Sequence, residues 1–317
     1  MQPKQPVRRA VIDVGTNSIK LLVADVAGHD VRPVHEESRQ TRLGRGFYQT
    51  RRLQPESIAC TAEAVWEFAQ VAREKNSDSI RVIATSAARD AANPGDLTTA
   101  IERASDLKVE IISGDQEAEW AFQGVTAGTE LAKTPLLLLD VGGGSTEFIL
   151  GRGEHKHFAR SFPLGTVRLM EKIPHSDPPT RAEFIACRDW IKHFLRTEVR
   201  PRLEPALERE TGFKSGEAQL VGTGGTTSIL GRIEHRLDRF DREQIDATRL
   251  SLDRLMAHRR RLWRLPLAER KEIPGLPKLR ADVILTGVAI YEEIMKEFGF
   301  KQLGISTRGL RFAALMD

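Results

Sequence analysis

Ala10-Val-Ile-Asp13-Val-Gly15-Thr-Asn17-Ser18-Ile-Lys-Leu-Leu-Val-Ala24 and Leu136-Leu-Leu-Leu-Asp140-Val-Gly142-Gly143-Gly144-Ser145-Thr-Glu147-Phe-Ile-Leu150 share the pattern Asp-Val-Gly-x-x-Ser, 127 positions apart. Each is an apolar run, a tight glycine turn and a second apolar run. That reads as a β-hairpin rather than the strand-turn-helix of a Walker A loop or a dinucleotide fingerprint. The repeat continues, because each hairpin is followed by a third strand-like segment ending in Leu-Gly, at Leu43-Gly44 and Leu164-Gly165, and then by helical sequence. A repeated unit of this size predicts two homologous domains.

Between the copies, helix and strand patterns alternate, as in an α/β protein with mixed sheets. From Glu56 to Lys75, the residues Ile58, Ala62, Val65, Ala69 and Ala72 recur at helical spacing and share one face. Ile80–Ala84 and Val109–Ser113 read as strands, and a Ser113/Gln116 capping box opens a helix with acids in its first turn. Gly128 and Pro135 mark a boundary. The expected division is therefore domain I over 1–127 and domain II over 128–305, with 306–317 packing back on domain I. Domain II is expected to hold helices over Arg181–Val199 and Ala281–Phe298. It also holds a strand, Gln219–Val221, that leads through the glycine-rich Gly222–Thr226 loop into a helix. Leu303–Arg311 reads as a strand followed by a terminal helix.

The chain has 317 residues, of which 40% are hydrophobic and 29% charged, with two cysteines. That excludes a disordered chain and a disulfide scaffold. No window approaches a membrane-spanning apolar run, and no signal-type stretch opens the chain, so a cytoplasmic protein without membrane attachment is expected. The net charge of +4 is unevenly spread: Arg232–Arg280 carries 14 Lys/Arg against 8 Asp/Glu, which suits a polyanionic ligand.

Paired glycine turns suit a phosphate clamp, because turn amides and Ser or Thr hydroxyls bind oxyanions, while Asp13 and Asp140 would hold a hydrated Mg²⁺. Arg89 lies just beyond a strand end, where open α/β sheets place ligands; its structural alternative is a surface pair with Asp90. Glu117 is either a first-turn acid serving the helix dipole or a general base for a phosphoanhydride-attacking water.

Together, Ile12–Ser18, Ala84–Arg89, Ile112–Ala118, Asp140–Glu147, Gly222–Thr226, Arg280–Gly287 and Gly309–Arg311, in that order, resemble the exopolyphosphatase and guanosine pentaphosphate phosphatase (Ppx/GppA) family of the actin, Hsp70 and sugar-kinase superfamily. The resemblance implies two ribonuclease-H-like (actin-like ATPase) domains with mixed sheets flanked by helices and an active-site cleft between them. It implies Glu117 as catalytic base and Asp13, Asp140 and Glu147 on the metal side. Asn17, Ser18, Arg89, Gly143, Gly144, Ser145, Gly222, Thr223, Gly224, Gly225 and Thr226 become phosphate contacts. The implied cofactor is Mg²⁺, with Mn²⁺ as alternative, and the implied assembly is a homodimer. The closing Arg-Glu-Gly of the family is here Arg311-Phe312-Ala313, and the chain stops at Asp317, whereas longer family members continue into an additional C-terminal helical region that helps hold long polyphosphate. The expectation is thus a short two-domain form with reduced processivity on long chains.

The leading reading is hydrolysis of terminal phosphate from inorganic polyphosphate. Guanosine pentaphosphate (pppGpp) is the alternative substrate, and a non-catalytic sensor or a kinase the alternative class. Glu117, Asp140 and Glu147 disfavour a pure binder, and a base at Glu117 would waste a kinase's phosphoryl group on water. His155 and His157 lack further ligands for zinc, His29-Asp30 lies in a turn, and Cys60 and Cys187 read as packing residues. His258–Arg264 is a solvated helix face or a polyphosphate route; with no nucleic-acid module in the chain, no nucleic-acid partner is expected.

Overall fold

The computed structural model describes residues 5–209 and 218–316. The chain folds as two compact units, 1–129 with 308–317, and 130–307. In the first, Val7–Val14 (β1), Ile19–Ala27 (β2) and Asp30–Arg39 (β3) form an antiparallel meander, and Ser79–Ala84 (β4) and Val109–Ile111 (β5) add parallel to β1. The second contains Leu136–Val141 (β6), Thr146–Arg152 (β7), His155–Phe162 (β8), Gln219–Thr223 (β9), Arg249–Ser251 (β10) and Gln302–Ile305 (β11). Sheet order is β3-β2-β1-β4-β5 in one and β10-β11-β9-β6-β7-β8 in the other. Matched from the hairpins, β8-β7-β6-β9-β11 repeats β3-β2-β1-β4-β5. Strand β10 is an added antiparallel edge that the sequence pattern did not announce.

The principal helices are Pro55–Glu74 (α1), Ser86–Asp90 (α2), Pro94–Ser105 (α3), Gly114–Thr126 (α4), Thr166–Lys172 (α5), Arg181–Phe194 (α6), Gly224–His235 (α7), Leu252–Leu262 (α8), Ile284–Glu297 (α9) and Leu310–Met316 (α10). The expected Arg181–Val199 helix is interrupted: α6 ends at Phe194, a π turn covers Leu195–Val199, and helix resumes over Arg200–Arg209. The expected Ala281–Phe298 helix starts late, at Ile284, after a 3₁₀ turn at Lys278–Arg280. No helix among the described residues is long and apolar enough to cross a membrane.

Alternation along the central strands explains the layers and places the chemistry. Ala10, Ile12 and Val14 of β1 share a core with Ile58, Val65 and Phe68 of α1, whereas Val11 packs with Leu22, Trp120 of α4 and Phe312 of α10. Successive side chains point to opposite faces, so Asp13 belongs to the face of Val11, the one covered by α4 and α10.

Helices α4 and α10 approach so closely that a Cβ on Gly124 would overlap the Gly309 carbonyl. Arg308 secures this contact, donating from Nε to the Gly124 carbonyl at 2.8 Å and from a terminal nitrogen to the Ala127 carbonyl at 3.3 Å. It thereby satisfies carbonyls that the last turn of α4 leaves open. In an open helix interior, Gly→Ala would stabilise by about 1 kcal/mol. Here overpacking reverses the sign, and Gly124→Ala should destabilise the protein by ~1–3 kcal/mol in urea unfolding; a neutral or stabilising effect would contradict the close contact. The cysteines differ as well: burial and then Glu293 push the Cys187 thiol up to about 12, whereas Cys60 is exposed on α1 rather than packed. A thiol reagent at pH 8 should therefore titrate one cysteine in the folded chain and both in denaturant.

Candidate active site

Both glycine turns are built by the same bond. Gly15 N–H donates to the Ser18 carbonyl at 3.0 Å, and Gly142 N–H to that of Ser145 at 2.9 Å. The Leu-Gly segments prove to be braces for these turns rather than strand ends, since β3 stops at Arg39 and β8 at Phe162. In the first unit the Thr16 and Asn17 carbonyls accept from the Gly44 and Arg42 amides at 2.7 and 3.1 Å. In the second, the Gly142 and Gly143 carbonyls accept from the Thr166 and Val167 amides, both at 2.9 Å, and Gly144 accepts from Arg168 Nε at 2.7 Å. A trans peptide holds its C=O and N–H on opposite sides. The amides of Asn17 and Ser18, and those of Gly143, Gly144 and Ser145, therefore face away from the braces and form concavities of N–H donors suited to oxyanions.

In the first unit, Asp13, Asn17 and Ser18 are each no more than 5% exposed. Asp13 Oδ1, Asn17 Nδ2 and Ser18 Oγ have no hydrogen-bond partner among the described residues, although Asn17 Oδ1 accepts from Gln40 Nε2 at 3.2 Å. Unpaired buried polar atoms cost ~1–3 kcal/mol each, and their clustering marks a place for a ligand. Burial pushes the Asp13 carboxyl above its ordinary range, against the opposing pull of Lys20, its cross-strand neighbour, and of Arg311 from α10.

Glu117 lies in the first turn of α4, whose start Ser113 fixes by accepting the Gln116 amide at 3.1 Å. Glu117 is 7% exposed. Arg89, at the end of α2, donates from one terminal nitrogen to Glu117 Oε2 at 2.9 Å and to the Ile112 carbonyl at 3.1 Å; Asp90 is 3.9 Å away. Residues expected in separate roles thus form one ion pair, and that pair orients the carboxylate.

In the second unit, Asp140 on β6 stands opposite Glu147 on β7 and, on its other side, Thr223 on β9. The expected Gly222–Thr226 loop is a strand-to-helix junction: Gly222 and Thr223 end β9, and Gly224–Thr226 open α7. Gly224 has φ +86°, and a Cβ there would overlap Asp140 Oδ1. The Asp140 carboxylate therefore rests on the N-terminus of α7, whose dipole favours an anion. Gly225 faces Arg280, whose guanidinium lies 3.3 Å from where a Cβ would be. Thr226 Oγ donates to the Val141 carbonyl at 3.2 Å, tying α7 to β6. Glu147 is 1% exposed, and its Oε1 accepts from Ser145 Oγ at 2.8 Å and Ser161 Oγ at 2.7 Å. The Ser145 hydroxyl, expected on phosphate, is thus engaged with Glu147.

Among the described residues no group of three or more His, Cys, Asp or Glu side chains is arranged to hold a metal ion. Of the three carboxylates expected on the metal side, Asp13 belongs to the first unit and Asp140 and Glu147 to the second. Asp140 and Glu147 do form a cross-strand pair of hard oxygen donors, the kind that holds a divalent cation together with waters and substrate phosphate. The sequence reading missed Lys20, Ser161 and the placement of Arg280. Lys20 was legible, since aligning the repeats at their aspartates puts it where Glu147 stands in the second copy; Ser161 carries no motif. In the basic run, Arg259 is committed to buried Glu292 at 2.7 Å, and Arg260 and Arg261 are exposed.

The Ppx/GppA phosphatase family model matches residues 22–317. The chain belongs to the Ppx/GppA phosphatase family. It is 36% identical over 315 residues to Exopolyphosphatase 2 of Mycobacterium tuberculosis, covering 94% of each chain. Exopolyphosphatase 1 of the same organism is 27% identical, with 96% of this chain and 86% of that protein covered. Among solved structures, the Aquifex aeolicus PPX-GPPA enzyme superposes with a TM-score of 0.77 at 28% identity, covering 98% of this chain and 99% of that one. An exopolyphosphatase from Cytophaga hutchinsonii gives 0.84 at 26% identity, covering 97% and 96%. The two ribonuclease-H-like sheets of this Ppx/GppA chain agree with that architecture.

A carboxyl held high by burial gives up folded-state stability as pH rises from its ordinary range through its folded value, because the unfolded chain ionises first. In metal-free buffer, Asp13→Asn should therefore raise unfolding stability more at pH 7 than at pH 4. Equal gains at both pH values would show that burial does not govern Asp13.

Proposed function

We propose that this Ppx/GppA protein is an exopolyphosphatase that hydrolyses the terminal phosphoanhydride of inorganic polyphosphate and releases orthophosphate. The observation that carries this reading is the buried Glu117 carboxylate, held at 2.9 Å by Arg89 at the start of α4: a phosphate binder has no need of a positioned base, and a hydrolase does. The 36% identity to a protein named Exopolyphosphatase 2 supports the same choice.

Phosphoryl transfer to water demands charge neutralisation and an oriented nucleophile more than covalent chemistry. The turn amides of Gly143 and Gly144, with Asn17 and Ser18, bind phosphate oxygens in this reading, and the first turn of α7 adds the Gly224 to Thr226 amides. Arg89 contacts phosphate while orienting Glu117. Glu117 takes the proton of the attacking water at its carboxylate oxygen. Asp140 and Glu147 would hold Mg²⁺, or Mn²⁺ in its place, and the ion would supply positive charge to the phosphate oxygens. Asp13, with Lys20 across the hairpin, provides a buried polar wall. The unpaired cysteines agree with a reducing, cytoplasmic setting.

Phosphate release should be measured with Mg²⁺ and with EDTA from short polyphosphate, long polyphosphate and guanosine pentaphosphate in parallel. The expected result is Mg²⁺-dependent release, fastest from polyphosphate. In Glu117→Gln, kcat should fall by ~10²–10⁴, the usual contribution of a general base, with KM little changed. Near wild-type kcat in that variant would remove the base assignment, and preference for guanosine pentaphosphate would reassign the substrate.

A further inference from the structure

Glu147 is nearly fully buried, yet the sheet meets it with serines. From the β7–β8 turn the pairing runs Arg152 with His155 and Gly151 with Lys156. Continued without interruption, it would set Arg160 opposite Glu147. An irregularity at Leu150/Gly151 shifts the register by one residue, so that Leu150 faces Phe158, Phe148 faces Arg160 and Glu147 faces Ser161. A one-residue shift exchanges the faces of a strand, so the bulge withdraws an arginine from Glu147 and supplies a hydroxyl. Ser145, two residues before Glu147 on the chain, adds the second hydroxyl.

Both hydroxyls converge on Oε1, at 2.7 and 2.8 Å. A carboxylate accepts and does not donate, so both serines point their protons at the same oxygen, which fixes the plane of the group. An arginine in that position would pair with the charge of Glu147, whereas the two hydroxyls are neutral donors that orient it. Hydrogen bonds that set a ligand's orientation are the ordinary way in which a protein tunes a metal site without touching the ion.

We propose that Ser161 is a positioning residue that orients Glu147 for divalent-cation binding. The inference rests on the reading of Asp140 and Glu147 as the cation-holding pair, and its test separates the two. Mn²⁺ is titrated into metal-free protein and the free ion followed by electron paramagnetic resonance, without substrate. Ser161→Ala should weaken Mn²⁺ binding about 10-fold, the low end of the loss seen when an outer hydrogen bond to a metal ligand is removed. Ser161→Thr, which keeps the hydroxyl on a strand that accepts β-branched residues, should restore it. The Mg²⁺ concentration for half-maximal activity should rise by the same factor in Ser161→Ala, with kcat at saturating Mg²⁺ little changed. A thermal unfolding curve of each variant without metal confirms that the comparison is between folded proteins. If Glu147→Gln loses Mn²⁺ binding and Ser161→Ala binds like wild type, the positioning role is wrong and the cation pair stands. If Glu147→Gln binds Mn²⁺ like wild type, or the wild-type protein binds none into the millimolar range, the reading beneath the inference is wrong.

Discussion

Two carboxylates facing each other across adjacent strands repel, and the second unit depends on keeping Asp140 and Glu147 in that position. Directly opposed like charges destabilise an antiparallel pair by ~0.2–1 kcal/mol in ordinary surroundings, and burial aggravates the problem. The fold answers one side at a time. Asp140 rests against Gly224 at the start of α7, and Glu147 is held by Ser145 and Ser161. Both answers orient an oxygen donor, one by a helix start and the other by two hydroxyls, and two oriented carboxylates on one rung are a donor set that suits a divalent cation.

The first unit repeats the hairpin and inverts the electrostatics. Its rung pairs Asp13 with Lys20 rather than with a glutamate, and Arg311 adds a second cationic influence on Asp13. The same glycine turn with the same internal bond thus serves two purposes. Next to Asp13 the turn exposes unpaired donors on Asn17 and Ser18, which suit anionic oxygens; next to Asp140 it supports an anionic rung. The two copies share the scaffold and differ at one strand position of the rung, Lys20 in the first and Glu147 in the second.

Much of this was legible in the sequence because the relevant periods are local. The apolar runs around Asp13 and Asp140 determine a strand, a turn and a strand, and the Ser113/Gln116 start of α4 places Glu117 in a first turn. What could not be read depended on segments far apart in the chain. The Arg89–Glu117 ion pair needs α2 and α4 to meet, and 28 positions separate the two residues. Ser161 faces Glu147 only because a bulge shifts β8 by one residue, and no composition signal announces a bulge. The Leu-Gly pairs looked like strand ends because Leu43 and Leu164 are apolar and buried; they are buried as braces of the glycine turns instead. Gly222–Thr226 looked like a loop for its glycines, whereas Gly224 is there to admit the Asp140 carboxylate against a helix start.

Hydrolysis by a water molecule at the terminal phosphorus is the claim that unites these features, and isotope transfer tests it most directly. Polyphosphate is turned over in ¹⁸O-labelled water with Mg²⁺, and both the released orthophosphate and the shortened chain are analysed by mass spectrometry. A single ¹⁸O is expected in each orthophosphate released and none in the remaining chain. Label at the ends of new polyphosphate fragments, or orthophosphate released without label, would contradict it.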